Sequence, residues 1–239
     1  MDRGGCSRER GGHPASLAEE GDARASLDRG CRRSRTIATH KGPGQVRIIA
    51  GQWRRSVLPV LDRPGLRPTP DRVRETAFNW ISARLGTHLV GRRVLDAFAG
   101  TGALGFEAAS RGADSVYLIE RDPVCVASLK AQIERFEAGE SIRVLGADAL
   151  GFLSAQPTGS YDLIFLDPPF EQGLIPRSLP LAARCLNAHG LIYVESEQPL
   201  DRLVQPDEMG GLQVLRSARA GAVFHALLSF ALDQHQEAS

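Results

Sequence analysis

An acid, two prolines and an aromatic ring stand together at Asp167–Phe170, directly after the apolar run Leu163–Leu166. Proline donates no backbone hydrogen bond and fixes φ, so a strand must end there. The run before it is typical of a buried parallel strand. The Asp167 carboxylate and a free backbone carbonyl can accept the two hydrogens of an amino group, while Phe170 stacks on the attached ring. The alternative is an ordinary strand-to-loop turn with an exposed acid.

A glycine-rich segment, Gly100–Gly105, matches G-x-G-x-x-G between a predicted strand and a predicted helix. With Glu120 about 20 residues further on, this pattern alone indicates a nicotinamide dehydrogenase. Asp96 argues against that class, because a carboxylate facing the loop repels a pyrophosphate and suits a cationic ligand. S-adenosylmethionine carries an ammonium and a sulfonium, and we predict it as the cofactor. Glu120 would then accept the ribose hydroxyls, and Asp148 would either accept the adenine amino group or simply face solvent.

The elements that must position these residues alternate between strand and helix from Arg93 onward. The predicted strands cover residues 94–98, 116–120, 142–145, 161–167 and 191–195, the helices 102–111, 123–137 and 175–186, and a closing antiparallel pair 212–215 and 223–232. Such alternation predicts a parallel sheet covered by helices on both faces. Ligands bind such sheets at the carboxyl ends of the strands, and five acids fall at or near that edge: Asp96, Glu120, Asp148, Asp167 and Glu195.

The segment before the sheet, residues 45–90, has a different pattern. Two β-rich runs around Gln52–Arg55 predict a hairpin with a basic, aromatic tip. Thr69 is predicted as the N-cap of a helix that starts at Pro70 and ends near Leu85. Trp53 would stack on a base or pack on the neighbouring domain. We predict that arginines of this segment contact phosphates: Arg47, Arg54, Arg55, Arg67, Arg72 and Arg74.

The net charge of +1 conceals a gradient along the 239 residues. Residues 1–95 hold 19 Lys+Arg and 9 Asp+Glu, a balance of +10, whereas residues 96–239 hold 10 and 19, a balance of −9. A basic front end indicates a polyanionic partner. Residues 1–44 have few large apolar side chains and are predicted to be disordered. The absence of a long apolar run predicts no membrane segment, and four scattered cysteines favour a reducing, cytoplasmic setting without a metal site.

These motifs together resemble a known family. VLDAFAGTGALGFEAASRGA, YLIERD and DLIFLDPPF look like class I S-adenosylmethionine-dependent methyltransferases that act on exocyclic amines. RIIAGQWRRSVLPV followed by GLRPTPDRVRETAFNWI is similar to the RsmD family, which methylates N2 of one guanine in small-subunit (16S) ribosomal RNA. The similarity covers about Gln45–Leu232. It implies a Rossmann-like fold with a seven-stranded, mostly parallel sheet whose last strand is antiparallel, preceded by the hairpin and helix, with the methyltransferase domain at residues 91–235.

The resemblance also implies the roles of individual residues. The amine would be held by the loop Asp167, Pro168, Pro169 and Phe170. S-adenosylmethionine would be bound by Asp96, Phe98, Gly100, Thr101, Gly102, Glu120, Arg121, Asp148 and Ala149. The partner would be ribosomal RNA in the small subunit or an assembly intermediate, met by a monomer. A DNA adenine-N6 methyltransferase and a non-catalytic nucleic-acid-binding module remain alternatives, since the Asp-Pro-Pro-Phe motif is not specific alone.

Overall fold

Strands and helices alternate from Arg93 to Ser196 in the computed structural model, which describes residues 45–63, 69–170 and 172–231. The strands are β1 (Gln45–Arg47), β2 (Val57–Pro59), β3 (Arg93–Asp96), β4 (Ser115–Glu120), β5 (Ile142–Gly146), β6 (Tyr161–Leu166), β7 (Leu186–Ser196), β8 (Leu212–Ala220) and β9 (Val223–Phe230). The helices are α1 (Asp71–Leu85), α2 (Ala103–Ser110), α3 (Pro123–Arg135), α4 (Ala149–Ala155), α5 (Leu174–Cys185) and α6 (Leu200–Leu203), with a 3₁₀ turn at Pro206–Met209.

The main sheet has seven strands in the order β5-β4-β3-β6-β7-β9-β8. The neighbours from β5 to β7 pair in parallel, and β9 runs antiparallel to both β7 and β8. The predicted α/β sheet with an antiparallel last strand is therefore confirmed. The chain winds outward from β3 to β5 and then returns to β6 on the other side of β3. Asp96 ends β3 and Asp167 follows β6, so both acids lie at the switch point, where such sheets bind ligands.

Both faces of the central strands are buried, in two separate apolar clusters. In β6, Leu163 and Phe165 pack in the cluster that contains α1, α2 and the β1–β2 hairpin. Ile164 and Leu166 pack in the cluster on the other face, which contains α4 and α5. This alternation follows from the two-residue repeat of a strand, whose successive side chains point to opposite faces. A strand buried on both sides is held in place, and so is the point at which the following loop begins.

The N-terminal hairpin is fastened to α2 by a buried carboxylate. Glu107 is fully buried and accepts hydrogen bonds from the backbone N–H of Ile49 at 2.6 Å and of Ala50 at 3.0 Å. Its Oε1 also accepts from Nε of Arg111 at 2.8 Å. Because α2 begins at the glycine-rich loop, the same short helix joins the hairpin to that loop.

Ser110, at the end of α2, holds the turn of the hairpin. Its hydroxyl donates to the Ala50 carbonyl at 2.6 Å and accepts from the Trp53 N–H at 2.9 Å. Gly51 lies so close that a Cβ there would stand 1.8 Å from the Ser110 carbonyl oxygen, and its φ of +81° is one that glycine adopts readily. The turn therefore fits against α2 only with glycine at this position.

The structure differs from the sequence prediction in two local respects. Thr69 does not cap α1: Pro70 occupies the N-cap position, no side chain caps the helix, and the Thr69 hydroxyl bonds elsewhere. Helices α4 and α6 were not predicted, because each is seven residues or shorter and too short for a helical repeat to show. The predicted disorder of residues 1–44 lies outside the described residues. Among the helices of the described ranges, none has the length and apolar character needed to cross a bilayer.

We expect Glu107→Ala to lower the free energy of unfolding by about 3 kcal/mol, since it removes a buried carboxylate and leaves its donors without an acceptor. Chemical denaturation would measure this loss. Glu134→Ala is the matched control, because Glu134 is exposed on α3 and its side chain makes no hydrogen bond with the described residues. Equal stability of the two variants would contradict the anchoring role of Glu107.

Candidate active site

Three buried or half-buried carboxyls stand side by side at the carboxyl edge of the sheet, on the face that α1 covers. Asp96 pairs in register with Phe165, and Phe165 pairs with Tyr193. Asp167 and Glu195 each lie two residues beyond those partners, and so on the same face. Asp96 is 1% exposed and Glu195 is 2% exposed. Such a row is costly to bury without compensating partners, which marks this edge as a functional site.

A single cavity of about 860 Å³ opens above this row. All five acids predicted at the strand ends line it: Asp96, Glu120, Asp148, Asp167 and Glu195. Of the other residues predicted for the cofactor and the amine, Phe98, Gly100, Thr101, Arg121, Ala149, Pro168, Pro169 and Phe170 also line it. Its volume lies at the upper end of the range for ligand sites, large enough for a nucleoside cofactor and an acceptor base together.

Asp96 carries a buried oxygen that has no partner. Its Oδ2 accepts a hydrogen bond from the Gly105 N–H at 3.0 Å, whereas Oδ1 is buried without a partner among the described residues. Burial raises the pKa of Asp96 to about 7, against the Gly105 hydrogen bond, and the nearby charges of Asp167 and Glu120 raise it further. An ammonium or sulfonium in the cavity would satisfy this carboxylate, so the site fits S-adenosylmethionine.

Glu120 shapes the glycine loop as well as facing the cavity. Its Oε2 accepts from the Gly100 N–H at 2.9 Å, and Oε1 accepts from the Asp122 N–H at 2.8 Å. Each oxygen keeps a second lone pair for a ribose hydroxyl. Gly102 differs from the prediction: it does not line the cavity, and a Cβ there would press on Phe106 and Leu129 at 2.7 Å. Its role is to pack the loop against α2 and α3.

Asp148 is the N-cap of α4 and lies at the cavity rim. Its Oδ1 accepts from the Gly151 N–H at 2.8 Å, which fixes the side chain while Oδ2 remains open. The residue is exposed to solvent and also lines the cavity, and its contact with the adenine amino group stays a prediction.

The loop after β6 is supported by a residue whose role sequence reasoning missed. The Thr69 hydroxyl lies 3.2 Å from Asp167 Oδ2 and 3.2 Å from Glu195 Oε2. Tyr193 donates its hydroxyl hydrogen to the other Glu195 oxygen, Oε1, at 2.9 Å. Thr69 was interpreted as a helix cap because it precedes Pro-Asp. Its partners lie 98 and 126 residues away, so no local signal reveals them.

Two further parts of the cavity wall were not predicted. Arg63 forms a bidentate pair with Asp122, with Nε to Oδ2 at 2.9 Å and Nη2 to Oδ1 at 3.0 Å. The Arg63 guanidinium lowers the pKa of the Asp122 carboxyl. On the opposite side, the β8–β9 turn contributes Ala220, Ala222 and Val223 to the lining. Arg63 reaches Asp122 across 59 residues, and the β8–β9 turn is placed by the pairing of β9 with β7.

The predicted RNA-contacting residues fall into two groups. Arg47, Arg54, Arg55 and Arg72 are exposed. The predicted phosphate contact of Arg74 is wrong. Its side chain is fully buried, and Nη2 donates to the Arg47 carbonyl at 2.7 Å and to Asp71 Oδ1 at 2.7 Å. It ties β1 to α1 and cannot reach a phosphate from there. Arg67 lies outside the described residues.

Trp53 is the second correction on this surface. Its ring stacks on Phe136, with centroids 5.2 Å apart and an interplanar angle of 23°, and its edge meets Phe106. The ring is half-buried against α2 and α3. Packing on the neighbouring domain, one of the two descriptions open from the sequence, is therefore what the structure contains.

A buried acid that needs a cation lies on one strand, and a rigid loop suited to an amine follows the next strand. This pairing at the switch point of a parallel sheet defines the class: the protein is a class I methyltransferase that uses S-adenosylmethionine. The protein matches the glycine pattern of a dehydrogenase but is not one. The Asp96 carboxylate lies beside the glycine loop, where its negative charge would repel the pyrophosphate of a dinucleotide.

Comparisons with known proteins identify the family. The family described as Conserved hypothetical protein 95 matches residues 46–229. Ribosomal RNA small subunit methyltransferase D of Escherichia coli (strain K12) is 47% identical over 160 residues, 66% of this chain and 78% of that protein. The Haemophilus influenzae protein of the same name is 42% identical over 167 residues, covering 68% and 84%. The solved structure of Escherichia coli yhhF superposes with a TM-score of 0.64 at 41% identity, covering 79% of this chain and 100% of that one. The chain belongs to the RsmD family.

We expect the affinity for S-adenosylmethionine to fall when the pH is lowered. The pKa of Asp96 is raised to about 7 by burial, so acidification neutralises the carboxylate that the cationic ligand needs. Calorimetry should find binding about tenfold weaker near pH 6 than near pH 8. Asp96→Asn should bind weakly with little pH dependence between these values, whereas Asp114→Asn, outside the cavity, should behave like the parent chain. Tight, pH-independent binding by the parent chain would contradict this role.

Proposed function

We propose that this protein transfers a methyl group from S-adenosylmethionine to the exocyclic N2 of a guanine in small-subunit ribosomal RNA. One observation carries the proposal: Asp167 and Pro168 line the same cavity as Asp96. An amine held by Asp167 and Pro168 would therefore face a ligand held by Asp96. The names of the relatives, ribosomal RNA small subunit methyltransferase D, support ribosomal RNA as the acceptor. The resemblance in the hairpin and α1 supports N2 of guanine.

The chain's own residues position the amine. Asp167 accepts one N–H and the Pro168 carbonyl accepts the other, which favours a pyramidal nitrogen whose lone pair leaves the ring. Phe170 stacks on the base after it leaves its neighbours. When bound, S-adenosylmethionine supplies an electrophilic methyl carbon whose bond electrons remain on sulfur. As the new N–C bond forms, the nitrogen loses one proton along its hydrogen bond to Asp167, and from there the proton passes to water.

The substrate side of the proposal rests on exposed arginines of the hairpin and of the first turn of α1. Arg47, Arg54, Arg55 and Arg72 would neutralise phosphates and give salt-dependent binding. We propose the small subunit or one of its assembly intermediates as the partner, and therefore a cytoplasmic location. We also propose that the protein acts as a monomer.

The proposal is tested by labelling with isotopic S-adenosylmethionine. We expect label in small-subunit ribosomal RNA, recovered as N2-methylguanine by mass spectrometry, and none in duplex DNA. Asp167→Ala should lower the rate at least about a hundredfold, since it removes the acceptor that aligns the amine. Calorimetric affinity for S-adenosylmethionine should stay within about threefold, because Asp96 and Glu120 are retained.

The outcomes of this experiment are distinct. Label in N6-methyladenine of duplex DNA would favour the DNA adenine methyltransferase instead. Normal turnover by Asp167→Ala would refute the role of the loop. Binding of RNA without any transfer by the parent chain would favour the non-catalytic binding module.

The RNA surface gives a separate prediction. Arg72 is exposed in the first turn of α1, beside Pro70 of the cavity wall, so Arg72→Glu should weaken RNA binding and reduce its salt dependence. Arg84→Glu is the matched control, since Arg84 is exposed on the same helix about 18 Å further from the cavity. Filter binding at several salt concentrations would measure both. Equal loss in the two variants would indicate net charge alone.

A further inference from the structure

The Thr69 hydroxyl bridges two carboxyl groups behind the amine-binding loop. It lies 3.2 Å from Asp167 Oδ2 and 3.2 Å from Glu195 Oε2, and Thr69 is only 7% exposed. Tyr193 closes the other side of Glu195 by donating to Oε1 at 2.9 Å. Both Glu195 oxygens are therefore engaged within the protein, while among the described residues Asp167 Oδ1 accepts no hydrogen bond. Among the described residues the cluster therefore has one open acceptor, on a side chain that lines the cavity.

Proton counting restricts the charge of this cluster. A hydroxyl has one hydrogen and can donate to only one of the two carboxyls. If both carboxyls were ionised, the Thr69 oxygen would lie 3.2 Å from a carboxylate oxygen with no hydrogen between them, so their lone pairs would repel. The two carboxylate charges would also repel each other. If one carboxyl is protonated, it donates to Thr69 Oγ1, and the Thr69 hydrogen goes to the other carboxylate. Every polar contact is then satisfied.

The surroundings decide which carboxyl holds the proton. Burial raises the pKa of both acids, and the charge on Asp167 raises that of Glu195 further. Glu195 is also the more buried residue. The bonds then run in one direction: Tyr193 donates to Glu195, protonated Glu195 donates to Thr69, and Thr69 donates to ionised Asp167.

No neighbouring cation forms an ion pair with Glu195 among the described residues. The charged and titratable groups packed around the pair are Asp96 of β3, Tyr193 of β7, Arg74 of α1 and His225 of β9. The Arg74 charge favours ionised Glu195, but it is outweighed by burial and by the charge on Asp167. The Arg74 Nη2 bonds Arg47 and Asp71, and its Nε and Nη1 are buried without a partner among the described residues. Burial lowers the pKa of His225, which keeps its ring neutral beside Tyr193.

We propose that Thr69 and a protonated Glu195 are positioning residues for methyl transfer, which orient the Asp167 carboxylate and leave its Oδ1 free for the amino group of the acceptor base. This inference rests on the proposed function, because it assigns a purpose to the second carboxyl of the same site. Glu195 contributes no charge of its own. It serves as a hydrogen-bond donor that a neutral amide can replace.

Substitutions at Thr69 test the positioning role. Thr69→Val keeps the shape and removes the hydroxyl, so kcat should fall roughly ten- to hundredfold, the size expected for a hydrogen bond to a charged group. The KM for RNA and the affinity for S-adenosylmethionine should change much less. Losing a bond that stabilises ionised Asp167 should also move the acid limb of the kcat–pH profile to higher pH. Thr69→Ser should restore both kcat and the position of the acid limb. A profile unmoved in Thr69→Val would overturn the role.

Substitutions at Glu195 test the placement of the proton. Glu195→Ala should lower kcat at least about tenfold, and Glu195→Gln should recover most of it with the acid limb where it was, because an amide N–H replaces the acid proton toward Thr69. If Glu195 is ionised instead, Glu195→Gln removes a negative charge beside Asp167. The pKa of Asp167 then falls and the acid limb moves to lower pH, which would overturn the inference.

An infrared measurement separates this inference from the proposed function. Near pH 8, above the raised pKa values of Asp96 and Asp167, about one protonated carboxylic acid should remain. Its C=O stretch should appear in the spectrum of the parent chain minus that of Glu195→Gln. A band without RNA methylation would leave the proton placement intact and refute the proposed function. Methylation without the band would refute the proton placement and leave the proposed function intact.

Discussion

Burying carboxyls side by side is the constraint on which the rest of the site depends. Asp96 and Glu195 are almost fully buried at the strand ends with Asp167 between them, and each charge raises the cost of the next. The fold compensates in three different ways: a cationic ligand for Asp96, an open cavity and a hydroxyl for Asp167, and a proton for Glu195. These unequal environments give three identical functional groups three separate tasks, which is how one sheet edge can bind a cofactor and align an acceptor.

The α1 segment and the hairpin complete the site instead of merely extending it. Thr69 reaches across from the start of α1 to the loop after β6, so the acceptor side cannot form from the sheet alone. Glu107 links the hairpin to α2, whose first turn follows the cofactor loop. The hairpin and the cofactor loop therefore share one short helix. A hydrophobic contact would permit sliding, whereas two directed hydrogen bonds from the hairpin to one buried carboxylate fix both distance and orientation.

The sequence predicted the sheet, its closing antiparallel strand and the five acids of the cavity, because each is a local pattern: an apolar run, a turn signal and a residue at the strand end. It could not predict what those acids contact. Arginine and tryptophan are typical of RNA-binding surfaces, yet Arg74 is fully buried and Trp53 packs on α2 and α3. Burial depends on which face of an element meets a neighbour. Thr69 and Arg63 find their partners across 98 and 59 residues, and no periodicity encodes such pairings. Gly102 fits the nucleotide-loop pattern, but its space is taken by side chains of α2 and α3.

The span of these contacts also bears on the order in which the molecule can assemble as it is synthesised. The hairpin leaves the ribosome well before Glu107, so it has no anchor until α2 has emerged. Thr69 must wait longer still, for Glu195 near the far end of the sheet. The nascent chain can thus gather its cofactor-binding strands while the acceptor side is still incomplete. A chain truncated before β7 would retain the glycine loop and the Asp167 loop and lack Glu195, the second carboxyl that Thr69 bridges.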